Sequence, residues 1–292
     1  MVEPITKPTY TEEQILKASY PDPEQPLLTS KIPVKTMDSK VGRVYYARDC
    51  KEEDREYIYS PTTILSNTLN KGLGFDMWLG NATSYKDAMD YARERAFLGT
   101  MTHAMIMWLL WGEEVDTKNG FYNQDTGEIV PVPDEIKLRL QGFIDFYKTH
   151  MPKPISTEIS LYCPDKDEEG ELLFPWAGTA DQIVKMPDGK IYLIDIKTGK
   201  EYPKDHALQL TAYKLLWDYI HGKKHGKIDV LACLYLNSKG KYKLKKYKFV
   251  PYNWYNVYEN FQYMVRDGHG RMPKIKQKEE LPTVYSIIKT ES

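Results

Sequence analysis

The stretch Phe174–Tyr219, FPWAGTADQIVKMPDGKIYLIDIKTGKEYPKDHALQLTAYKLLWDY, decides how the chain reads. Pro187-Asp188-Gly189 is a turn signal, flanked by the apolar runs Ile183-Val184 and Ile191-Tyr192-Leu193-Ile194. Two such runs about a turn predict a β-hairpin, followed here by a short loop and a helix. Alternate side chains of a strand share a face, so Asp195 and Lys197 point one way while Ile194 and Ile196 point the other. Charge beside an apolar run is costly to bury unless it is paired or bound to a metal. Taken alone, Asp195 and Lys197 also read as a salt-bridged pair exposed on an edge strand.

Upstream of this stretch the pattern is helical. Residues 1–57 carry scattered prolines (Pro4, Pro8, Pro21, Pro23, Pro26, Pro33) and read as an extended arm with one short helix near Glu12–Ala18. Ser60-Pro61-Thr62-Thr63 is a helix start, with Ser60 as N-cap and proline in the first turn. Ser84–Trp111 is periodic, with Gly99 as a break or a close approach between two helices, and Pro133–Thr149 reads as a further amphipathic helix. Downstream, Ile155–Tyr162 alternates as a strand carrying Glu158. Ile228–Leu236 and Lys241–Val250 form a hairpin about Asn237-Ser238-Lys239-Gly240, before a Tyr/Trp-rich helix over Trp254–Arg266. Helices first, then a small mixed sheet with a helix after its third strand, predict an α/β fold with a helical N-terminal portion. The expected divisions are an arm (1–57), a helical portion (58–150), a core (151–266) and a basic tail (267–292).

The bulk numbers narrow the class. With 292 residues, 41% hydrophobic and 28% charged, the chain reads as a soluble globular protein with room for a substantial core. A net charge of −1 excludes a global polycation, so any nucleic-acid contact has to come from local patches. Cys50, Cys163 and Cys233 fit neither a disulfide framework nor a metal spacing and read as thiols of a reducing cytosol. The N-terminus lacks a signal-peptide core, and the longest apolar run, Ala104–Trp111, is too short to cross a bilayer. No membrane association and a cytoplasmic location are expected.

Phosphodiester hydrolysis needs an activated water and a means of absorbing charge on the phosphoryl oxygens; hard divalent cations held by carboxylates supply both. Asp181 and Asp195, on adjacent strands, can meet at one such cation, with the carbonyl of Ile196 as a further oxygen ligand and Lys197 beside the attacking water. A D-x-K triplet alone is very weak evidence. The ordered context is what makes it specific: Gly178-Thr179-Ala180-Asp181, then Ile194-Asp195-Ile196-Lys197-Thr198-Gly199, then Gln209-x-x-x-Tyr213.

In that order of elements the chain resembles the RecB-like branch of the PD-(D/E)XK nucleases, which includes viral and mitochondrial exonucleases. The resemblance runs from about Tyr59 to Leu236 and takes in Gly99-Thr100-Met101-Thr102-His103 and Glu158 as well as the three segments above. It implies a restriction-endonuclease-like core, with His103, Asp181 and Asp195 binding one or two Mg²⁺ or Mn²⁺ ions. Lys197 would assist the water, and Glu158 would support the metal shell. Gln209 and Tyr213, at i and i+4 on one helical face, would orient the site or the DNA backbone. Asp195 stands where glutamate is more frequent in the family. The four cysteines that hold an iron–sulfur cluster in some relatives are missing, so no cluster is expected.

The expected activity is that of an exonuclease on linear DNA in replication, recombination or repair, with a recombinase or single-strand-binding protein as partner and a bacterial host cytosol as location if phage-encoded. A structure- or sequence-specific endonuclease and a degenerate DNA-binding scaffold are the rivals. Thr198, Lys200, Lys241, Lys243 and Lys245 are candidate DNA-backbone contacts. The lysine run 239–248, interleaved with Tyr242 and Tyr247, reads equally as an edge strand guarded against unwanted pairing. Trp254, Tyr255, Tyr258 and Phe261 read as core, and His206 lies on the same helical face as Gln209.

Overall fold

The Met186–Lys190 turn closes as its sequence predicts. Gly189 takes φ 83°, Asp188 Oδ1 accepts from the Lys190 N–H at 3.0 Å, and the Met186 N–H donates to the Lys190 carbonyl at 2.9 Å. The computed structural model describes residues 27–28, 30, 34–38, 42–52, 55–69, 73–123 and 126–267. In chain order the first elements are β1 (Val34–Asp38), β2 (Arg43–Ala47), β3 (Ile58–Tyr59), α1 (Pro61–Thr68), α2 (Leu73–Gly80) and α3 (Tyr85–Leu110). Next come β4 (Phe121–Asn123), β5 (Glu128–Val130), α4 (Asp134–His150), β6 (Lys153–Leu161), β7 (Gly178–Lys185) and β8 (Ile191–Lys197). The last are α5 (Pro203–Ile220), α6 (Gly222–His225), β9 (Val230–Leu236), β10 (Tyr242–Tyr247) and α7 (Pro251–Asp267). This is a mixed α/β fold with seven helices and three sheets among the described residues.

The largest sheet has the order β10-β9-β8-β7-β6. All its pairs are antiparallel except β8 with β9, whose parallel pairing requires the crossover that α5 and α6 supply. Its two faces are both covered. Leu193, on one face, packs with Leu210, Ala212 and Leu216 of α5, with Ile64 of α1 and with Trp254 of α7. Ile194 and Ile196, on the other, pack with Met101, Met105 and Trp108 of α3 and with Ile136 and Phe143 of α4. A strand covered on both sides must be apolar throughout, which is why β8 reads ILE-rich rather than strictly alternating. Asp195 is therefore an exception in the middle of the sheet, 3% exposed, and the edge-strand reading of Asp195 and Lys197 does not hold.

Other expectations are refined by the same packing. The stretch read as an extended arm carries β1 and β2, which pair antiparallel and extend to β3 through Val44↔Tyr59. The expected helix at Glu12–Ala18 and the tail beyond Asp267 lie outside the described residues. Ser60 caps α1 as predicted, its Oγ accepting from the Thr63 N–H at 3.0 Å. Gly99 does not break α3, which continues through it; a Cβ there would lie 3.5 Å from Thr198 Oγ1, so the close approach is to the loop after β8 and not to a second helix. Among the described residues no helix is long and apolar enough to cross a membrane.

Gly178 opens β7 against the face of Tyr213. A Cβ at this position would collide with the Tyr213 ring, which is 4% exposed. Gly178→Ala is expected to lower unfolding free energy by about 1–3 kcal/mol, the usual cost of overpacking, as measured by urea denaturation.

Candidate metal centre

The site begins where the sheet forks. The β7–β8 ladder runs from Lys185↔Ile191 to Gln182↔Ile194 and stops. Beyond it β7 stays with β6 as far as Gly178↔Leu161, and β8 stays with β9 as far as Lys197↔Tyr235. Asp181 and Asp195 are the first residues past the last pair, one on each arm of the fork. The Ile196 N–H, left without a ladder partner, donates to Asp181 Oδ2 at 2.6 Å. The side chain of Asp181 thus completes the strand and is held in one rotamer by doing so.

Two further groups arrive at the fork from outside. His103 comes from α3, its Nδ1 3.6 Å from Asp181 Oδ2 and 3.7 Å from Glu158 Oε1. Glu158 comes from β6, opposite Asp181 between the pairs Thr157↔Gln182 and Ile159↔Ala180. Its φ is 49°, a left-handed conformation that is a genuine cost for a non-glycine residue inside a strand. Ligand atoms of His103, Glu158 and Asp181 all lie within 4.8 Å of one another. Their side chains are 28%, 30% and 12% exposed, so the cluster opens to solvent.

Asp195 and Lys197 form the other half of the site. Lys197 Nζ lies 2.6 Å from Asp195 Oδ2 as an ion pair out of hydrogen-bond alignment, so this buried oxygen makes no hydrogen bond. Gln209 of α5 bridges the two: its Oε1 accepts from Lys197 Nζ at 3.0 Å and its Nε2 donates to Asp195 Oδ1 at 3.1 Å. The same Nε2 lies 3.2 Å from the Tyr213 hydroxyl, one turn further on. Glu158, rather than Asp195, completes the three-residue cluster with His103 and Asp181. The Ile196 backbone takes part through its N–H.

The electrostatics match this crowding. Burial works against a charge on His103, but Asp181, Glu158 and Asp195 outweigh it and raise the imidazole to about 9. Burial, reinforced by Asp195 and Glu158 and opposed by His103 and Lys197, raises Asp181 to about 7. Burial also disfavours the Lys197 ammonium, yet Asp195 and Asp181 prevail and raise its pKa. The donor set of two carboxylates and one imidazole fits a hard or borderline divalent cation.

Other residues singled out in the sequence fall nearby or apart. Thr198 sits against Gly99, and Lys200 and Lys241 are exposed. Lys243 and Lys245 are held by Glu201, at 2.5 Å and 2.8 Å. Two residues without a role in the sequence reading join the surroundings. The Tyr45 hydroxyl of β2 bonds Thr179 Oγ1 at 3.1 Å, two residues before Asp181. His206, buried and lowered to about 4 by burial and then by the nearby Lys197 charge, bonds the Tyr235 hydroxyl through Nδ1 at 2.7 Å. No local pattern marks Tyr45, because its partner is 134 residues away. A cavity of about 420 Å³ lined by Leu110, Phe143, Tyr147 and Met151 lies apart from these groups.

No model of a known protein family matches the chain, and no curated protein matches it. Eighteen chains of solved structures do match. One, described as "Crystal structure of SSO0001", is 17% identical with a TM-score of 0.30, over 45% of this chain and 61% of that one. The aligned part is thus less than two thirds of that chain's length, and a likeness at this level carries no inference about fold or function.

Because the folded pKa values of Asp181 and His103 both lie above their unfolded values of 3.8 and 6.5, the folded state binds the extra protons. Their contribution to stability is complete below those unfolded values and is lost as pH rises through about 7 and about 9. In chelator, Tm is expected to fall as pH is raised across this window. Millimolar Mn²⁺ should restore it most at the alkaline end, where protons no longer compete for the ligands. A Tm that climbs with pH in chelator, or ignores Mn²⁺ throughout, contradicts the cluster.

Proposed function

We propose that the protein is a divalent-metal-dependent deoxyribonuclease built on a restriction-endonuclease-like core, acting as an exonuclease on linear DNA. The observation that carries this reading is the fork. Asp181, Asp195 and Lys197 sit there on two adjacent strands, with His103 and Glu158 joining Asp181 in a metal-sized cluster and Gln209 fixing the Asp195–Lys197 pair. The order of these residues along the chain, shared with the RecB-like nucleases they resemble, supports the same conclusion.

His103, Glu158 and Asp181 would hold the Mg²⁺ or Mn²⁺, with Asp195 Oδ2 and the Ile196 carbonyl as further ligands. The ion supplies charge neutralisation at the phosphoryl group and a water of lowered pKa. The chain's own groups do the rest. Asp195 holds Lys197 at the fork, where its ammonium would orient the attacking water and stabilise charge on the phosphoryl oxygens. Gln209 keeps both side chains in register through its two hydrogen bonds. Ligation requires a neutral His103, so loading and activity both favour alkaline pH. The proposal extends to action in replication, recombination or repair, alongside a recombinase or a single-strand-binding protein.

Asp195→Ala and Lys197→Ala are each expected to lower the rate of linear-DNA digestion by at least about 100-fold, the usual weight of a positioned proton-transfer or electrostatic group. Thermal melts of both variants should remain cooperative. Strands labelled at the 5′ or the 3′ end, single and double, beside covalently closed circles, separate the modes of attack. Intact circles are the expected result, and nicked circles point instead to an endonuclease. Full activity in both alanine variants would sink the proposal.

A further inference from the structure

The sheet register carries the site beyond its own two strands. Lys197 pairs with Tyr235, which pairs with Lys243; Asp195 pairs with Cys233, which pairs with Lys245. Residues in one such row share a face of the sheet. Lys243 and Lys245 of the edge strand β10 therefore project on the same side as Asp195 and Lys197, two strands away, about 10 Å at the usual strand spacing. The opposite side of β10 turns Tyr242 and Leu244 inward against the α3–α4 layer. The two lysines face the α5 side, next to the loop that leaves Lys197.

That loop supplies their counter-charge. Glu201, between the end of β8 and the start of α5, accepts from Lys243 through Oε1 and from Lys245 through Oε2, at 2.5 Å and 2.8 Å. Both lysines raise no claim on any other carboxylate among the described ion pairs, and the Lys245 ammonium also lies 5.6 Å over the Tyr247 ring. Glu201 and Lys245 are each 32% exposed and Lys243 is 61% exposed, so the brace lies in contact with solvent. Exposed ion pairs are weak and salt-screened, so a polyanion can exchange with the carboxylate at little cost. A carboxylate fork spanning two ammonium groups has the charge and the spread of a bridging phosphate group.

We propose that Lys243 and Lys245 form a binding surface for the phosphate backbone of the nucleic-acid strand entering the fork, and that Glu201 occupies this surface as an internal phosphate mimic which the strand displaces. This deepens the nuclease reading and rests on it. Lys200, in the same loop, and Lys241, just before β10, are exposed and would extend the surface. The single charge of Glu201 sets back the affinity that the two lysines would otherwise provide, restraining the enzyme on short or weakly bound strands.

The test is binding of a fluorescently labelled single-stranded oligonucleotide in chelator, where no cleavage occurs, over a range of salt concentrations. Glu201→Gln is expected to bind several-fold more tightly at low salt and to steepen the log–log salt dependence by about 0.7, one added phosphate neutralisation on a single strand. Lys243→Gln combined with Lys245→Gln should flatten it by about 1.4 and should cancel the gain when added to Glu201→Gln. A Glu201→Gln protein with unchanged affinity and slope, or with weaker binding, overturns the proposal. Digestion of linear DNA in Mn²⁺ is run beside it. Cleavage with an unchanged Glu201→Gln slope removes this surface and leaves the nuclease reading standing, whereas neither cleavage nor binding in the unsubstituted protein removes both.

Discussion

The hydrogen bond from the Ile196 N–H to Asp181 Oδ2 is the constraint on which the site depends. It forms because the β7–β8 ladder ends one pair too early to satisfy that amide by backbone. An unsatisfied amide at this depth costs a substantial part of a domain's net stability, so the carboxylate that replaces the missing carbonyl is held firmly. The fork that opens the sheet and the group that occupies it are consequently one feature. Everything else in the site is arranged around it: Glu158 reaches in from β6 with a left-handed backbone, His103 descends from α3, and Asp195 stands on the opposite arm.

The balance of charge explains why such an arrangement could hold a cation. Three carboxylates, Glu158, Asp181 and Asp195, face one ammonium and one imidazole within a partly buried space. The imidazole is held protonated and Asp181 is pushed toward its neutral form, both being the response of a crowded anionic site that retains protons. A divalent ion would replace those protons. Lys197 is fixed by Gln209, from a helix whose apolar face lies in the core. The cost of keeping Asp195 buried is met by two partners, Lys197 and Gln209, which come from different elements.

Much of the fold was legible in the linear pattern. Asp188-Gly189 closes the hairpin locally, Ser60 caps α1 through its own third neighbour, and the pattern over Pro133–Thr149 becomes α4 (Asp134–His150) with its acidic first turn and basic last turn. These features depend on contacts within a few residues, which periodicity and turn chemistry describe well. Tyr45 and Glu201 were not legible, because their partners are Thr179 in β7 and the lysines of β10, far along the chain. The continuity of α3 through Gly99 was equally hidden. A glycine inside a helical pattern reads as a break, and only the structure shows that the helix runs through it with the Thr198 side chain alongside.

By itself the sequence determined the spacing of the candidate residues: two aspartates and a lysine in a strand–turn–strand unit, and a glutamine and tyrosine one helical turn apart. Local spacing dictates those two groupings, since side-chain direction in a strand or helix follows from backbone geometry alone, whereas the histidine and the glutamate upstream were singled out only through the resemblance to a known family. Only the tertiary structure decided how they divide. It grouped Glu158 with His103 and Asp181, tied Asp195 to Lys197 and Gln209, and turned the edge lysines toward the same face with Glu201 between them. The reason is that ladder length and strand order are set by how the two helical layers pack on the sheet, and no short window of sequence carries that information.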